Sequence, residues 1–326
     1  MKQMKNGFCL LFLLLSAHSY GQYAPSADQA GTTAIHKDSA VFINWASTVV
    51  SFNRGLQDIA NVSGPDADYG DSTAALGMAE GNSNNVVSLG DSGSIVLSFP
   101  YPIKNGSGPD FAVFENSFSH DYLELAHVEV STDGINFVRF PSVSLTQTST
   151  QVGAFDLTDP TKIYNLAGKY IQAYGTPFDL EELADSSGIN VDSIHYVKIV
   201  DVVGSIDPTY GTTDSQGNLV NDPYPTAFGS GGFDLDAVGV IHENNIFASQ
   251  EEYTDGFFRV YPNPASGQLN IQLSGRQEVA IYSISGTLIW KQMVEQFHTI
   301  DLAALGLRKG VYVISNQSQT LKLVVQ

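Results

Sequence analysis

Cysteine is almost absent from these 326 residues; the single one is Cys9. No intramolecular disulfide framework can form, nor a zinc site built from several thiolates. Basic residues are scarce too, with 15 Lys and Arg against 34 Asp and Glu and a net charge of -19. Phosphate backbones are neutralised by clustered Lys and Arg, so this balance excludes a nucleic-acid partner. Only 15% of residues are charged while 43% are hydrophobic, which excludes disorder of the whole chain and supplies a sizeable core. Long apolar runs are missing. Phe8–Ser16 is apolar for nine residues, short of the ~20 that a bilayer-spanning helix needs. No transmembrane segment is expected in the mature chain. There is no H-E-x-x-H and no glycine-rich phosphate loop between a strand and a helix, and none of His36, His120, His127, His195, His242 and His298 has a second His at metal spacing. No catalytic residue is assigned.

What is present begins with a targeting pattern. Lys2 and Lys5 precede the apolar run, and Ser19 and Gly21 suit the -3 and -1 sites of a secretory signal peptide spanning 1–21. Thirty Gly with 33 Tyr and Phe favour a turn-rich β protein. Charge then divides the chain. Residues 22–257 hold seven basic and 31 acidic residues, whereas 258–326 hold six basic and three acidic. The reading is an acidic domain over 22–245, a linker over 246–257 and a mildly basic module over 258–326. So much like charge repels itself unless cations compensate, which suits either plain solubility outside the cell or bound Ca²⁺ with its hard oxygen ligands.

In the tail module, Tyr261-Pro262-Asn263-Pro264 fixes φ twice and forbids helix, marking a rigid turn. Leu269, Ile271 and Leu273 alternate with polar residues, and some six short strands follow in all, ending in Gly310–Ile314 with Tyr312 and in Leu321–Val325. A small immunoglobulin-like sandwich is expected. The segments at 260–273, 279–289, 300–305, 309–314 and 321–326 resemble, in order, the type A C-terminal sorting domain of the type IX secretion system of Bacteroidota. The resemblance implies the type IX machinery as partner, passage across the outer membrane, and removal of the domain near the linker, often with attachment to surface lipopolysaccharide. The biochemical function is then expected in residues 23–245.

The acidic domain reads as an all-β jelly roll. Strands are expected at 86–89, 94–99, 111–114, 125–130, 136–140, 169–173, 194–203 and 233–241, with Asp133-Gly134 as a hairpin turn and 42–52 as helix or strand. The hairpin at 128–140 resembles galactose-binding-like, discoidin-like β-sandwiches. The segments at 75–77, 86–99, 109–116 and 222–240, with that hairpin, resemble a family of bacterial cell-surface proteins of no agreed activity. Some of its members sit with outer-membrane uptake systems, including those for corrinoids, which implies a ligand-binding role.

Asp234 and Asp236, two apart on a strand, share a face, and Gly229–Gly232 lets backbone approach them. Asp110, Glu115 and Asn116 bracket another strand with hard oxygens. These five are the expected ligands of a structural Ca²⁺, which the galactose-binding-like resemblance also implies; the alternative is solvated carboxylates at strand ends. Asp66–Asp71 departs from the EF-hand pattern and reads as a polar loop, and Gly90-Asp91-Ser92-Gly93 as a tight turn rather than a protease nucleophile segment. The long connection Gly204–Gly232 carries Tyr210, Tyr224, Phe228 and Asp222, which suit stacking and hydrogen bonding of a sugar or other small ligand, with Trp45, Tyr174 and Phe178 as further candidates. The alternative is a loop whose aromatics form a satellite core. The favoured function is an exported, non-catalytic binding or adhesion protein for a glycan or small nutrient, stabilised by Ca²⁺. The alternatives are a β-sandwich hydrolase acting on polysaccharide, and a surface accessory of a corrinoid uptake system. Among 31 acids some carboxylate pair is inevitable, so residue type alone does not decide for a glycosidase.

Overall fold

The computed structural model describes residues 23–245, 258–316 and 319–326. The expected signal peptide and linker lie outside the described residues. The chain divides into two compact units, Met1–Asn245 and Ile246–Gln326. Both are built from antiparallel strands, and the only helical elements among the described residues are three short 3₁₀ turns in the first unit. The all-β sandwich expectation holds. No helix among the described residues is long and apolar enough to cross a membrane.

The first unit carries thirteen strands. They are β1 (Ile35–His36), β2 (Asn44–Trp45), β3 (Thr48–Asn53), β4 (Val87–Ser88), β5 (Ser94–Ile103), β6 (Phe111–Glu115) and β7 (Ala126–Ser131). Then come β8 (Val138–Arg139), β9 (Val143–Ser144), β10 (Ile163–Tyr164), β11 (Tyr174–Phe178), β12 (Ile194–Asp201) and β13 (Asp234–Val240). One sheet runs β1-β11-β6-β13-β2 with β4 also on β13, the other runs β3-β5-β12-β7-β8, and β9 pairs with β10. Alternation explains most of the core between the sheets, and a bulge between Leu235 and Ala237 lets β13 turn both Leu235 and Val238 inward. Ile95 and Leu97 of β5, Val197 and Ile199 of β12 and Val128 of β7 meet Phe111 and Val113 of β6, Phe178 of β11 and Leu235 and Val238 of β13. Every residue of β7 and β13 is buried. The far side of β13 is covered where Ala237 and Phe114 pack with Phe42 and Trp45.

The stretch 42–52, open between helix and strand, holds two strands that belong to different sheets: Trp45 pairs with Gly239 and Val49 with Leu97. Two expectations need correction. The strand expected at 169–173 begins at Tyr174 instead, because Gly168 and Ala173 both have positive φ, at 82° and 68°, which no regular strand accommodates. The strand expected at 136–140 shrinks to Val138–Arg139, since the Asp133 carboxylate holds the N–H groups of Ile135 and Asn136 in the turn.

The second unit has β14 (Phe258–Tyr261), β15 (Gln268–Leu273), β16 (Gln277–Ser283), β17 (Leu288–Val294), β18 (Phe297–Asp301), β19 (Gly310–Ser315) and β20 (Thr320–Val325). Its sheets run β14-β15-β18 and β17-β16-β19-β20. Leu269, Ile271 and Leu273 alternate into the core as their spacing requires. Asn263, between its two prolines, accepts the Val324 N–H at 2.9 Å and donates its amide to the Lys322 carbonyl at 2.6 Å, tying the rigid turn to β20. Gly310 opens β19 opposite Val325, and the Tyr312 hydroxyl donates to the Arg308 carbonyl at 2.8 Å.

Candidate ligand-binding site

β6 and β12 end, and β7 and β13 begin, at one end of the first unit's sandwich. Loops meeting there leave backbone N–H groups without ladder partners, and carboxylates accept them. Asp201 takes the N–H groups of Ser92 at 3.0 Å and Phe233 at 2.8 Å. Asp222 takes that of Leu125 at 2.9 Å, and Asp91 that of Ile59 at 2.7 Å. Asp236 takes those of Glu80 at 3.0 Å and Gly81 at 2.8 Å. Asp234 accepts the Ser88 hydroxyl, and the Asn116 amide at 2.9 Å. Burial raises the pKa of each of these five: those of Asp91 and Asp234 rise to about 6, and those of Asp201 and Asp222 well above the ordinary carboxylate value.

Two carboxylates at this end are not provided for. Glu115 is 1% exposed; its Oε2 accepts the Ser117 N–H at 2.7 Å, but its Oε1 has no hydrogen-bond partner. Glu124 is buried, and no donor reaches its carboxylate among the described residues. Burial first, then the charge of Asp234, holds both pKa values far above normal. None of the ion pairs among the described residues involves Asp91, Glu115, Glu124, Asp201, Asp222 or Asp234. Among the same residues, no three His, Cys, Asp or Glu side chains are already disposed around a point where a metal could sit.

Of the five expected Ca²⁺ ligands, the structure brings Glu115, Asn116 and Asp234 together. Asp236, on the same strand, is committed to the 80–81 backbone. Asp110 lies at the other end of β6, roughly 17 Å away at strand rise. There it accepts the N–H groups of Gly106 at 2.7 Å and Leu180 at 2.8 Å and pairs with His242 at 2.7 Å. That is a structural cap, with both carboxylate oxygens already accepting hydrogen bonds.

Beside the acids stand exposed aromatic rings. Phe118, 64% exposed, stacks on Tyr122 with centroids 5.2 Å apart, and Phe155, 74% exposed, stacks on Phe228 at 5.6 Å. The Tyr122 hydroxyl donates to the Ala154 carbonyl at 3.0 Å, so the loops carrying the two pairs adjoin. Burial, then Glu124 and Glu115, raises the Tyr122 pKa, so its proton stays on to donate. From the long loop, Phe228 reaches this face. Tyr224 donates to Asp58 at 3.1 Å, with Tyr210 near it. Asp222 instead lies buried under the loop, and Val220 joins a satellite core with Leu123 and Leu125. Trp45 and Phe178 belong to the packed faces of the sandwich, and Tyr174 bonds Asp28 at 2.6 Å; none of the three joins the aromatic face. The residues that sequence reasoning missed are Glu124, Phe118, Tyr122 and Phe155. Aromatics standing in the polar stretches 116–122 and 153–159 were the available signal.

Residues 259–326 match the family described as "Secretion system C-terminal sorting domain". This makes the second unit a sorting module of the type IX system, which sends its protein across the outer membrane to the cell surface or beyond. No curated protein matches the chain. Among solved structures, similarity is found to β-glucuronidase from Ruminococcus gnavus, at 9% identity over 72% of this chain and 35% of that one, TM-score 0.18. A single-mutant thermostable endoglucanase from Alicyclobacillus acidocaldarius matches at 17% identity over 22% of this chain and 15% of that one, TM-score 0.17. The chain thus spans about a third or less of their lengths, and likenesses this weak carry no argument.

Proposed function

We propose that the acidic unit is an exported, non-catalytic binding module of galactose-binding-like kind that takes a glycan on its aromatic face. The carrying observation is the pair of stacked aromatic couples, Phe118–Tyr122 and Phe155–Phe228, whose outer rings stand largely in solvent. An exposed flat ring is a poor use of apolar surface unless a ligand covers it, and pyranose C–H faces stack well on such rings. Ca²⁺ is proposed at Glu115, Glu124 and Asp234. The unpartnered Glu115 Oε1 and the donorless Glu124 fit a hard cation in chemistry, and the two glutamates must rotate toward Asp234 to meet it. Bound there, the ion would neutralise the acids and stiffen the loop that carries Phe118 and Tyr122.

A glycan-array screen of the secreted protein, read beside a reducing-sugar release assay, tests the reading. Binding without release is expected, with Phe118→Ala and Phe155→Ala each weakening capture. Sugar release lost in Glu124→Gln would overturn it in favour of a hydrolase. The burial of Glu115 and Glu124 argues against that second reading, since a general acid must reach the glycosidic oxygen. A corrinoid handed to an uptake system remains a third ligand class, and a direct corrinoid titration separates it from glycans.

A further inference from the structure

The first unit has a cavity whose lining shares no residue with the carboxylate site. It is a cavity of about 290 Å³ lined by Tyr23, Thr33, Tyr164, Lys169, Tyr170 and Thr176, among others. That is the small end of the range for ligand pockets, ~300–1,000 Å³. The rings of Tyr23 and Tyr164 stack at 5.1 Å and 28°. The Tyr170 hydroxyl and Thr33 Oγ1 share a hydrogen bond of 2.7 Å.

Lys169 is the unusual member. It is 4% exposed in a unit where acids outnumber bases four to one, yet no carboxylate pairs with it among the described residues. Its Nζ donates to the Ile163 carbonyl at 2.8 Å and lies 5.6 Å from the centre of the Tyr170 ring. An ammonium has three donors, so two remain. Asp159 reaches it only through its field, and burial lowers the lysine pKa to about 8, which leaves it mostly charged at neutral pH. The Thr176 hydroxyl, also 4% exposed, has no hydrogen-bond partner among the described residues. Two buried polar groups on one small cavity are thus underused, and one is a cation with no carboxylate within ion-pair distance among the described residues.

We propose that this cavity binds a small hydroxylated ring bearing one carboxylate, a sugar acid. The carboxylate meets Lys169 Nζ, the ring lies against the tyrosine faces, and the ring hydroxyls bond Thr176 and Thr33. The site is independent of the aromatic face proposed for glycans and involves none of its residues.

Calorimetric titration of the full secreted protein with glucuronate, galacturonate and N-acetylneuraminate, with glucose as the neutral counterpart, tests this. At least one acid is expected to bind saturably and about tenfold or more tighter than glucose, with Lys169→Met losing about tenfold or more, as removal of one charged hydrogen bond implies. If Lys169→Met fails to fold, Thr176→Val is read in its place, and it too is expected to weaken the acid selectively. The proposal is overturned if none of the three acids binds, if glucose binds as well as they do, or if the folded Lys169 or Thr176 variant binds them unchanged.

Discussion

Asp110 and Glu115 close the two ends of one five-residue strand, and both are buried, but their surroundings differ. Asp110 is fully engaged by Gly106, Leu180 and His242. Asp110→Ala would strand those donors and is expected to destabilise the protein by about 2–4 kcal/mol. Thermal melts with and without Ca²⁺ should show a lowered Tm but the wild-type rise on adding Ca²⁺, whereas Glu115→Gln should lose that rise. Asp91 and Asp234 make a pH prediction. Their folded pKa values, about 6, lie above the ordinary aspartate value of about 3.8, so they hold protons more tightly in the fold. The resulting stabilisation is full below about 4 and gone above about 6, on the order of 3 kcal/mol for one group. Glu129 and Asp214, with lowered values, lose stabilisation only at still lower pH, whereas buried His127, lowered to about 4 by desolvation, opposes the rise from about pH 6.5 downward and is outnumbered by the buried acids whose values are raised. In a chelator, Tm should therefore rise as pH falls from 7.5 to 5. A Tm that falls over that range would mean that these acids are not ionised under strain at neutral pH.

At the scale of elements, apolar runs rich in β-branched and aromatic residues and bounded by turn residues were legible: β5, β6, β7, β12 and β13 fall where they were expected. The two-residue strands β1, β2, β9 and β10 carry no period and were not all visible. β11 was displaced because an alanine at positive φ leaves no mark in a sequence. The same limit applied to the site. Glu115, Asn116 and Asp234 were visible as oxygens at strand ends, but Glu124 sits in Leu-Glu-Leu and reads like an outward strand position. Asp222 looked like a ligand contact, and only the fold shows that the loop buries it. Gly168 illustrates what composition hides. Its φ is 82°, and a Cβ there would overlap the Glu124 carbonyl oxygen. Gly168→Ala is expected to cost about 2–4 kcal/mol, measured by urea denaturation, and to disturb the Glu124 loop with it. Phe118→Ala with Phe155→Ala should leave the same denaturation curve within about 0.5 kcal/mol, since both rings are largely in solvent.

For the whole molecule, the charge split between the halves marks a division of labour. The acidic unit spends two of its seven bases, Arg139 and Lys198, on Glu129 of β7, so few remain to offset its other acids. The tail unit is a separate sorting module with its own core. Deleting 258–326 should leave the acidic unit folded but retained inside the outer membrane, as fractionation of the cells would show; normal amounts outside would contradict the sorting role. One pairing in the sandwich also sets an order of events. Trp45 finds its strand partner in Gly239, almost 200 positions downstream and at the last strand of its unit. A polypeptide delivered from its front end therefore cannot complete that sheet early, because long-range pairing waits for the far segment. The sheet that holds β13 closes only once that final strand is available, just ahead in the chain of the module that carries its destination, whereas the sheet β3-β5-β12-β7-β8 does not wait for it.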